Sequence, residues 1–324
     1  MTRLILTVTR RCNCRCSYCP TSKEGWPELQ PGDGRRAVEL LATRYGGGEI
    51  QVTGGEPLLL PDVVRAVLAE AGRRPEIRRV SLCTNGLLLD RAWLSELGSH
   101  DKAMLLVSLD GRPDDHRRHR AALDRNADSF AWSSELGDLL ASAPRVVVTQ
   151  TIAPDTAADA AVNFAHLLSM GFKRFKFLPV YYRTWLPAEL DALRRAFEVI
   201  GGRIREHWAA DRHLYVANLF TWAPTPLFHT GLVVDADRSI HVSNAGQAAA
   251  SEQLLHATRV GTLDHPPGPE MLEEKAEAVP ELLERALDEA TWHDTQAVDA
   301  ELSRLCRSLY PDFLAYRARR RAPS

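Results

Sequence analysis

The sequence predicts an α/β protein: an open, TIM-like partial (β/α)6 barrel with a C-terminal α+β extension. Three observations lead there. Short β-branched strands alternate with amphipathic helices six times. Those strands are apolar on both faces, as parallel strands covered by helices are. The motifs rich in Cys, Gly, Asn and Asp each follow a strand, which is where such folds carry their chemistry.

The first strand is "LILTVT" (4–9), and it runs straight into a cluster of cysteines. "PGDGRRAVELLATRYGGG" predicts a helix with Asp33 as N-cap. Val38, Leu41 and Tyr45 fall at helical spacing, and Gly46, Gly47 and Gly48 stop it. "EIQVT" is the second strand, followed by a helix opening at "LPDVVRAVLAEAG". "RVSLCT", "AMLLVSL" and "RVVVTQTI" are the third to fifth strands. "AAVNFAHLLSMGFKRFKFLPV" gives a helix closed by Gly171, then the sixth strand. Six units are too few for a closed eight-fold barrel. The barrel is placed at residues 1–210 and the extension at 211–324. Before the boundary, Leu190, Leu193, Phe197, Ile200 and Ile204 share one helix face. Beyond it, "LVVDADRSIHVS" reads as a β-hairpin around an Asp-rich turn. After "HPPGP", two helical stretches run to about Tyr316.

The 324 residues are 45% hydrophobic and 25% charged, with a formal net charge of −2. That is an ordinary globular composition with no electrostatic footprint for nucleic acid. The terminal "RARRR" reads as a solvated tail. No apolar run approaches bilayer length, and "MTRLILTVTR" is too quickly charged for a signal peptide, so the expectation is a cytoplasmic chain without membrane contact. Cytoplasmic thiols stay reduced, and dense cysteines there read as metal or catalytic ligands.

"RRCNCRCSYCP" holds four of the six cysteines. Cys12, Cys16 and Cys19 have the spacing C-x3-C-x2-C, with Cys14 between the first two. A four-cysteine zinc knot is one reading, although the spacing is tight and no second pair follows. A closed iron–sulfur cluster on all four thiolates, serving electron transfer alone, is another. Three thiolates on a cubane with one open iron is the third. This last spacing, directly after an apolar strand and followed by "TGGEP", resembles the radical S-adenosylmethionine (radical SAM) superfamily. The resemblance implies one [4Fe–4S] cluster on Cys12, Cys16 and Cys19, with Cys14 a bystander, and S-adenosylmethionine on the open iron. It also implies a reductant such as flavodoxin or ferredoxin, and a 5′-deoxyadenosyl radical that abstracts hydrogen from substrate. Tyr18 takes the position that packs on adenine; its plainer reading is loop packing.

Further motifs carry the resemblance. Gly54, Gly55 and Glu56 match the segment that receives the cofactor's amino group; glycine allows close backbone approach. Thr84 and Asn85 of "TNG" line the floor of the expected site. Ser108 and Asp110 of "VSLDG" suit ribose hydroxyls, although Asp110 is also an ordinary turn residue before Gly111. Arg120 matches the arginine that meets the cofactor carboxylate, and Gln150 or Thr151 is a candidate nucleoside contact. Tyr181, Tyr182, Trp185, Phe220 and Trp222 either wall a ligand site or form core beneath the C-terminal helices.

The tail resembles the SPASM-containing branch of the superfamily, in which a D-x-D-G-x-I hairpin precedes a cluster cysteine. Here Ser243 stands at that cysteine's position and Arg238 at the glycine's. Cys306 is the one cysteine further on, so a second cluster is not expected. Cys306 is a candidate hydrogen-atom donor, although Leu302, Leu305 and Leu309 on its helix face read as core. The implied function is hydrogen abstraction in peptide maturation of the ribosomally made kind. The alternatives are tailoring of a sugar, nucleoside or amino-acid derivative, or non-catalytic electron transfer. No leader-peptide recognition domain precedes the first strand, which weighs towards the small molecule.

Overall fold

A computed structural model describes residues 3–143, 145–221, 230–247 and 252–321. Its elements begin with β1 (Arg3–Thr7), β2 (Cys14–Cys16), α1 (Pro31–Arg44), β3 (Gly48–Thr53), α2 (Pro61–Arg73) and β4 (Ile77–Thr84). Then come α3 (Arg91–Ser99), β5 (Ala103–Ser108), α4 (Pro113–His119), β6 (Arg120–Ala122), α5 (Ala131–Ser142) and β7 (Val146–Ile152). They continue with α6 (Ala160–Ser169), β8 (Arg174–Pro179), α7 (Pro187–Ala209), β9 (Tyr215–Val216), α8 (Asn218–Thr221) and β10 (Thr230–Val234). The last are β11 (Ser239–Ser243), α9 (Glu252–Thr258), β12 (Arg259–Thr262), α10 (Pro269–Glu277), α11 (Val279–Ala286) and α12 (Glu289–Arg321). The six sequence-derived strands are β1, β3, β4, β5, β7 and β8. The mostly parallel sheet is that of a partial TIM barrel, and no closed barrel forms among the described residues.

The chain divides into two compact units. One comprises Met1–Ser108, His119–Leu136 and Phe228–Asp288; the other comprises Leu109–Arg118, Gly137–Leu227 and Glu289–Ser324. In the first unit the strand order is β12-β11-β10-β1-β3-β4-β5, with β10, β1, β3, β4 and β5 all parallel. Leu4, Leu6, Ile50, Val52, Val80 and Leu82 are buried, and Val38, Leu41, Val64 and Val67 of α1 and α2 are buried with them. The expected burial on both faces holds for β1, whereas β3, β4 and β5 alternate buried positions with half-buried or exposed ones. The expected hairpin is β10–β11, antiparallel as predicted. However, β10 also adds in parallel to the free edge of β1, with Leu4 opposite Leu232 and Leu6 opposite Val234. Helix α1 starts at Pro31 after Gln30, and Asp33 sits three residues in, accepting the Gln30 N–H at 2.9 Å. Asp33 is thus the far half of a capping pair rather than the N-cap.

In the second unit β7, β8 and β9 are parallel. Phe164, Phe175, Phe177 and Phe197 pack edge-on and stacked between α6, the strands and α7. After "HPPGP" the described residues form three helices where two were expected, because α10 and α11 are separated at Ala278; α12 carries Pro311 within it and runs on to Arg321. Trp208 packs on Phe313 and Tyr316 of α12. No described helix is long and apolar enough to cross a membrane.

Candidate active site

In a parallel array the C-terminal strand ends lie at one edge, so each motif of the first unit arrives there by chain direction alone. Beyond β1 the Thr9–Arg11 segment lies against the turn after β3. The Gly55 N–H donates to the Thr9 carbonyl at 2.8 Å and the Glu56 N–H to the Arg11 carbonyl at 2.9 Å. A Cβ on Gly54 would stand 2.1 Å from the Thr9 oxygen, and one on Gly55 2.1 Å from the Arg11 oxygen. Only glycine permits two backbones this close.

The cysteine loop then forms a two-stranded ribbon. β2 pairs antiparallel with β6, setting Cys14 opposite Ala122 and Cys16 opposite Arg120. Ser17 donates its N–H to the His119 carbonyl at 2.9 Å, and Ser17 Oγ lies 2.7 Å from His119 Nδ1. Cys12, Cys16 and Cys19 are half-buried, whereas Cys14 is only 1% exposed. Hydrogen bonding to the Cys12 and Cys16 sulfurs, and then burial, push the Cys14 thiol up. The Cys12 thiol is held down, at about 6, chiefly by its hydrogen bond from Cys14. The Cys14 backbone N–H (3.4 Å), the Lys23 charge and Asn85 Nδ2 (3.7 Å) add to this. Among the described residues no three His, Cys, Asp or Glu side chains form a group able to hold a single metal ion. A cubane differs, since its thiolates bind separate irons and need not converge on one point.

Glu56 has a different role from the one expected. Its carboxylate is wholly buried and accepts from Leu58 N–H (3.0 Å), Thr84 Oγ1 (2.8 Å) and Asn85 N–H (2.8 Å). Burial, opposed by these bonds, pushes it up to about 7. It ties the end of β3 to the end of β4 and is closed to an arriving ammonium; backbone carbonyls alone remain for that. Thr84 is committed to the same tie. Asn85 goes further: Nδ2 donates to Asn13 Oδ1 at 2.7 Å, so the "TNG" turn reaches into the cysteine loop. Trp132 fills the space beside Gly86, where a Cβ would lie 2.2 Å from its ring.

Tyr18 is half-buried, 5.5 Å from the His119 ring, with the Arg120 guanidinium 5.4 Å from its own ring centre. Ser108 closes β5 and is half-buried. The sequence reading missed His119, Asn13 and Lys23, whose Nζ donates to the Cys14 carbonyl at 2.7 Å. Only their nearness to the cysteines pointed to Asn13 and Lys23.

The second unit holds the rest. Asp110 is buried, accepts the Thr151 N–H at 3.1 Å, and gives its own N–H to His116 Nδ1 at 3.3 Å. Gln150 is fully buried; its amide donates to the Ala160 carbonyl at 2.9 Å, and its Oε1 has no hydrogen-bond partner among the described residues. Tyr181 and Trp185 are core beneath α12, with Trp185 Nε1 bonded to the Val180 carbonyl and its N–H to Asp294. Tyr182 donates its N–H to Thr295 Oγ1 at 3.2 Å. Phe220 is half exposed and stacks on Tyr215, and Trp222 lies outside the described residues. Cys306 is buried at 3% exposure; burial, and then Asp299, push its thiol up to about 12.

A parallel α/β sheet with a thiol-rich loop and glycine-cradled turns at its strand ends is the architecture of a cluster-dependent, nucleotide-binding enzyme. Residues 6–144 match the model of the Radical SAM superfamily. Its members are enzymes that bind a [4Fe–4S] cluster and S-adenosylmethionine. A probable GTP 3',8-cyclase of Archaeoglobus fulgidus is 37% identical over 115 residues, covering 34% of this chain and 36% of that protein. The chain therefore spans about a third of the length of such curated relatives. Among solved structures, anSMEcpe with bound AdoMet superposes with a TM-score of 0.72 at 14% identity, covering 98% of this chain and 99% of that one. SuiB of Streptococcus suis, bound to its precursor peptide SuiA, gives 0.61 at 11% identity, over 91% and 66%.

Proposed function

We propose that this protein uses a single [4Fe–4S] cluster to cleave S-adenosylmethionine reductively and abstract hydrogen from a peptide. When bound, the cluster supplies the electron that splits the sulfonium, and the nucleoside radical so released starts the substrate chemistry. The observation that carries the reading is the arrangement of thiols in one short loop: Cys12, Cys16 and Cys19 half-buried, and Cys14 buried. Soft thiolates suit an iron–sulfur cluster. Cys12, Cys16 and Cys19 would hold it, with the Cys14 N–H and Asn85 amide donating to the Cys12 sulfur. Backbone carbonyls of Gly54 and Gly55 would receive the cofactor's ammonium, Tyr18 its adenine, Ser108 its ribose and Arg120 its carboxylate. Cys306, the candidate hydrogen-atom donor, is buried with Leu302, Leu305 and Leu309, and core packing is the role this burial supports.

The peptide reading draws on the likeness over nearly the whole chain to anSMEcpe, whose structures include peptide complexes. A second reading, a small-molecule substrate, draws on the sequence relatives named as GTP 3',8-cyclases, which match over 34% and 38% of this chain. The test is anaerobic reconstitution followed by dithionite. Cleavage to 5′-deoxyadenosine is expected in the parent and in Cys14→Ala, and in none of Cys12→Ala, Cys16→Ala or Cys19→Ala. Deuterium transfer from labelled peptide or small-molecule pools then separates the two substrates. Loss of the cluster in Cys14→Ala with retention in one of the other three would sink the ligand assignment.

A further inference from the structure

The proposed function leaves a buried ion pair unexplained. Arg10 is 2% exposed and Asp235 fully buried, and they meet in a two-pronged pair across 225 residues of sequence. Arg10 Nε donates to Asp235 Oδ1 at 3.2 Å, and Nη2 donates to Oδ2. The guanidinium also lies 3.5 Å from the centre of the Trp26 ring. Arg10 stands two residues before Cys12. Trp26 belongs to the returning end of the same loop, where Glu28 accepts from Thr9 Oγ1 (2.9 Å) and Arg11 Nε (2.6 Å) and the Leu29 N–H donates to the Val8 carbonyl (3.0 Å). Entry and exit of the cysteine loop thus form a neck, and Arg10 is its centre. Asp235 is fixed in turn by the β10–β11 hairpin: its N–H donates to the Ser239 carbonyl at 2.9 Å and its Oδ1 accepts the Ala236 N–H at 2.7 Å.

We propose that Asp235 is a positioning residue for the cysteine loop, and that the hairpin bearing it, which has Ser243 in place of a cluster thiolate, serves as the clamp on that loop's neck. The Ser243 hydroxyl is buried and accepts the Ala245 N–H, so it contributes to the hairpin fold alone. The neck is gripped from two sides. The backbone of Gly55 and Glu56 holds Thr9 and Arg11, while the side chain between them reaches the hairpin. A guanidinium suits this task because its planar fork fixes orientation as well as charge. A loop whose ends cannot splay keeps the spacing of its three thiols set before iron arrives. The inference rests on the cluster reading above.

The test compares the parent with Arg10→Met, Asp235→Leu, the double variant, and Arg10→Lys. Each is followed by thermal unfolding of the iron-free protein, iron release to a chelator, and the EPR spectrum of the reduced cluster with and without S-adenosylmethionine. Either single apolar variant leaves a buried unpaired charge and unfolds at lower temperature; the double variant regains most of that loss, as apolar replacements of buried pairs do. The clamp predicts that the double variant still releases iron about ten-fold faster than the parent, the scale seen for groups supporting metal ligands. It also predicts an altered EPR response to S-adenosylmethionine. Arg10→Lys, which keeps the charge and loses the fork, is expected to fold and to show the same faster release. A double variant, or Arg10→Lys if the double does not fold, that holds iron as long as the parent with an unchanged spectrum overturns the clamp. A parent that takes up no cluster overturns the underlying reading instead.

Discussion

Glu56 offers a test of the site's electrostatics that needs no cofactor. Its carboxyl is raised from 4.5 to about 7 by burial, so the folded protein binds a proton there that the unfolded chain has released. The stabilisation from that proton is complete below pH 4.5 and is lost as pH rises through about 7. At roughly 1.4 kcal/mol per pH unit, the difference between 4.5 and about 7 is worth about 3 kcal/mol. Glu56→Gln is a permanently neutral mimic and escapes this loss. Its amide NH2 must face either the Asn85 N–H or the Leu58 N–H and Thr84 hydroxyl, which costs about 1–3 kcal/mol at every pH. Urea unfolding of both iron-free proteins from pH 4 to 8.5 should therefore show the variant gaining about 3 kcal/mol on the parent across the window, wherever it starts. The Cys12 charge also raises Glu56, so the comparison is made with Cys12→Ala in both proteins. Parallel pH profiles would refute the argument, because they would mean that the three donors hold the carboxylate ionised throughout.

Other outcomes follow from the same geometry. Gly55→Ala would press a Cβ to 2.1 Å from the Arg11 oxygen and 2.5 Å from the Arg10 oxygen, all backbone; a loss of about 3 kcal/mol or more in urea unfolding, with poor cluster uptake, is expected. Asn85→Ala removes an N–H···S donor from Cys12, and the reduced-cluster midpoint in an EPR-monitored titration should move negative. Arg238 holds φ at +66°, a conformation that costs an L residue about 1 kcal/mol, so Arg238→Gly should raise stability by up to that amount, measured by thermal unfolding. Cys306→Ala should leave cleavage of S-adenosylmethionine intact and lower stability by about 1 kcal/mol in urea unfolding, because the thiol is packed in the core.

The strands and the cysteine spacing were legible because both are local. An apolar run such as "RVVVTQTI" is buried on both faces whatever its neighbours, and three thiols within eight residues announce soft-metal chemistry. What the sequence hid was pairing at a distance. β2 and β6 are three residues each, too short for periodicity, and one of them is built from cysteine and arginine. Nothing in "LVVDA" says that it joins β1, because Leu4 and Leu232 meet only after the intervening chain has folded. The Glu56 misreading has another cause. A carboxylate in a glycine-rich turn looks available until its three donors are found, and two of these are backbone N–H groups carrying no sequence signal. Asp33 fell three residues out of place because Gln30, a weak N-cap, precedes a proline that starts the helix.

The hairpin is held by its contacts rather than by any cluster chemistry of its own. Ser243 cannot bind iron, and Arg238 strains the turn where glycine would rest easily, yet the turn keeps its left-handed conformation and its backbone bonds. Arg238 N–H still reaches the Asp235 carbonyl and its carbonyl still accepts from Leu263, at 2.9 Å each. A turn kept in place at a conformational cost is held by something other than its own preferences. The buried partner of Arg10, two residues from the first cluster thiol, supplies that constraint, and β10 carries it into the same sheet that sets the strand ends. The extension and the cysteine loop are then one device, and the reason for the strand lies in that pairing.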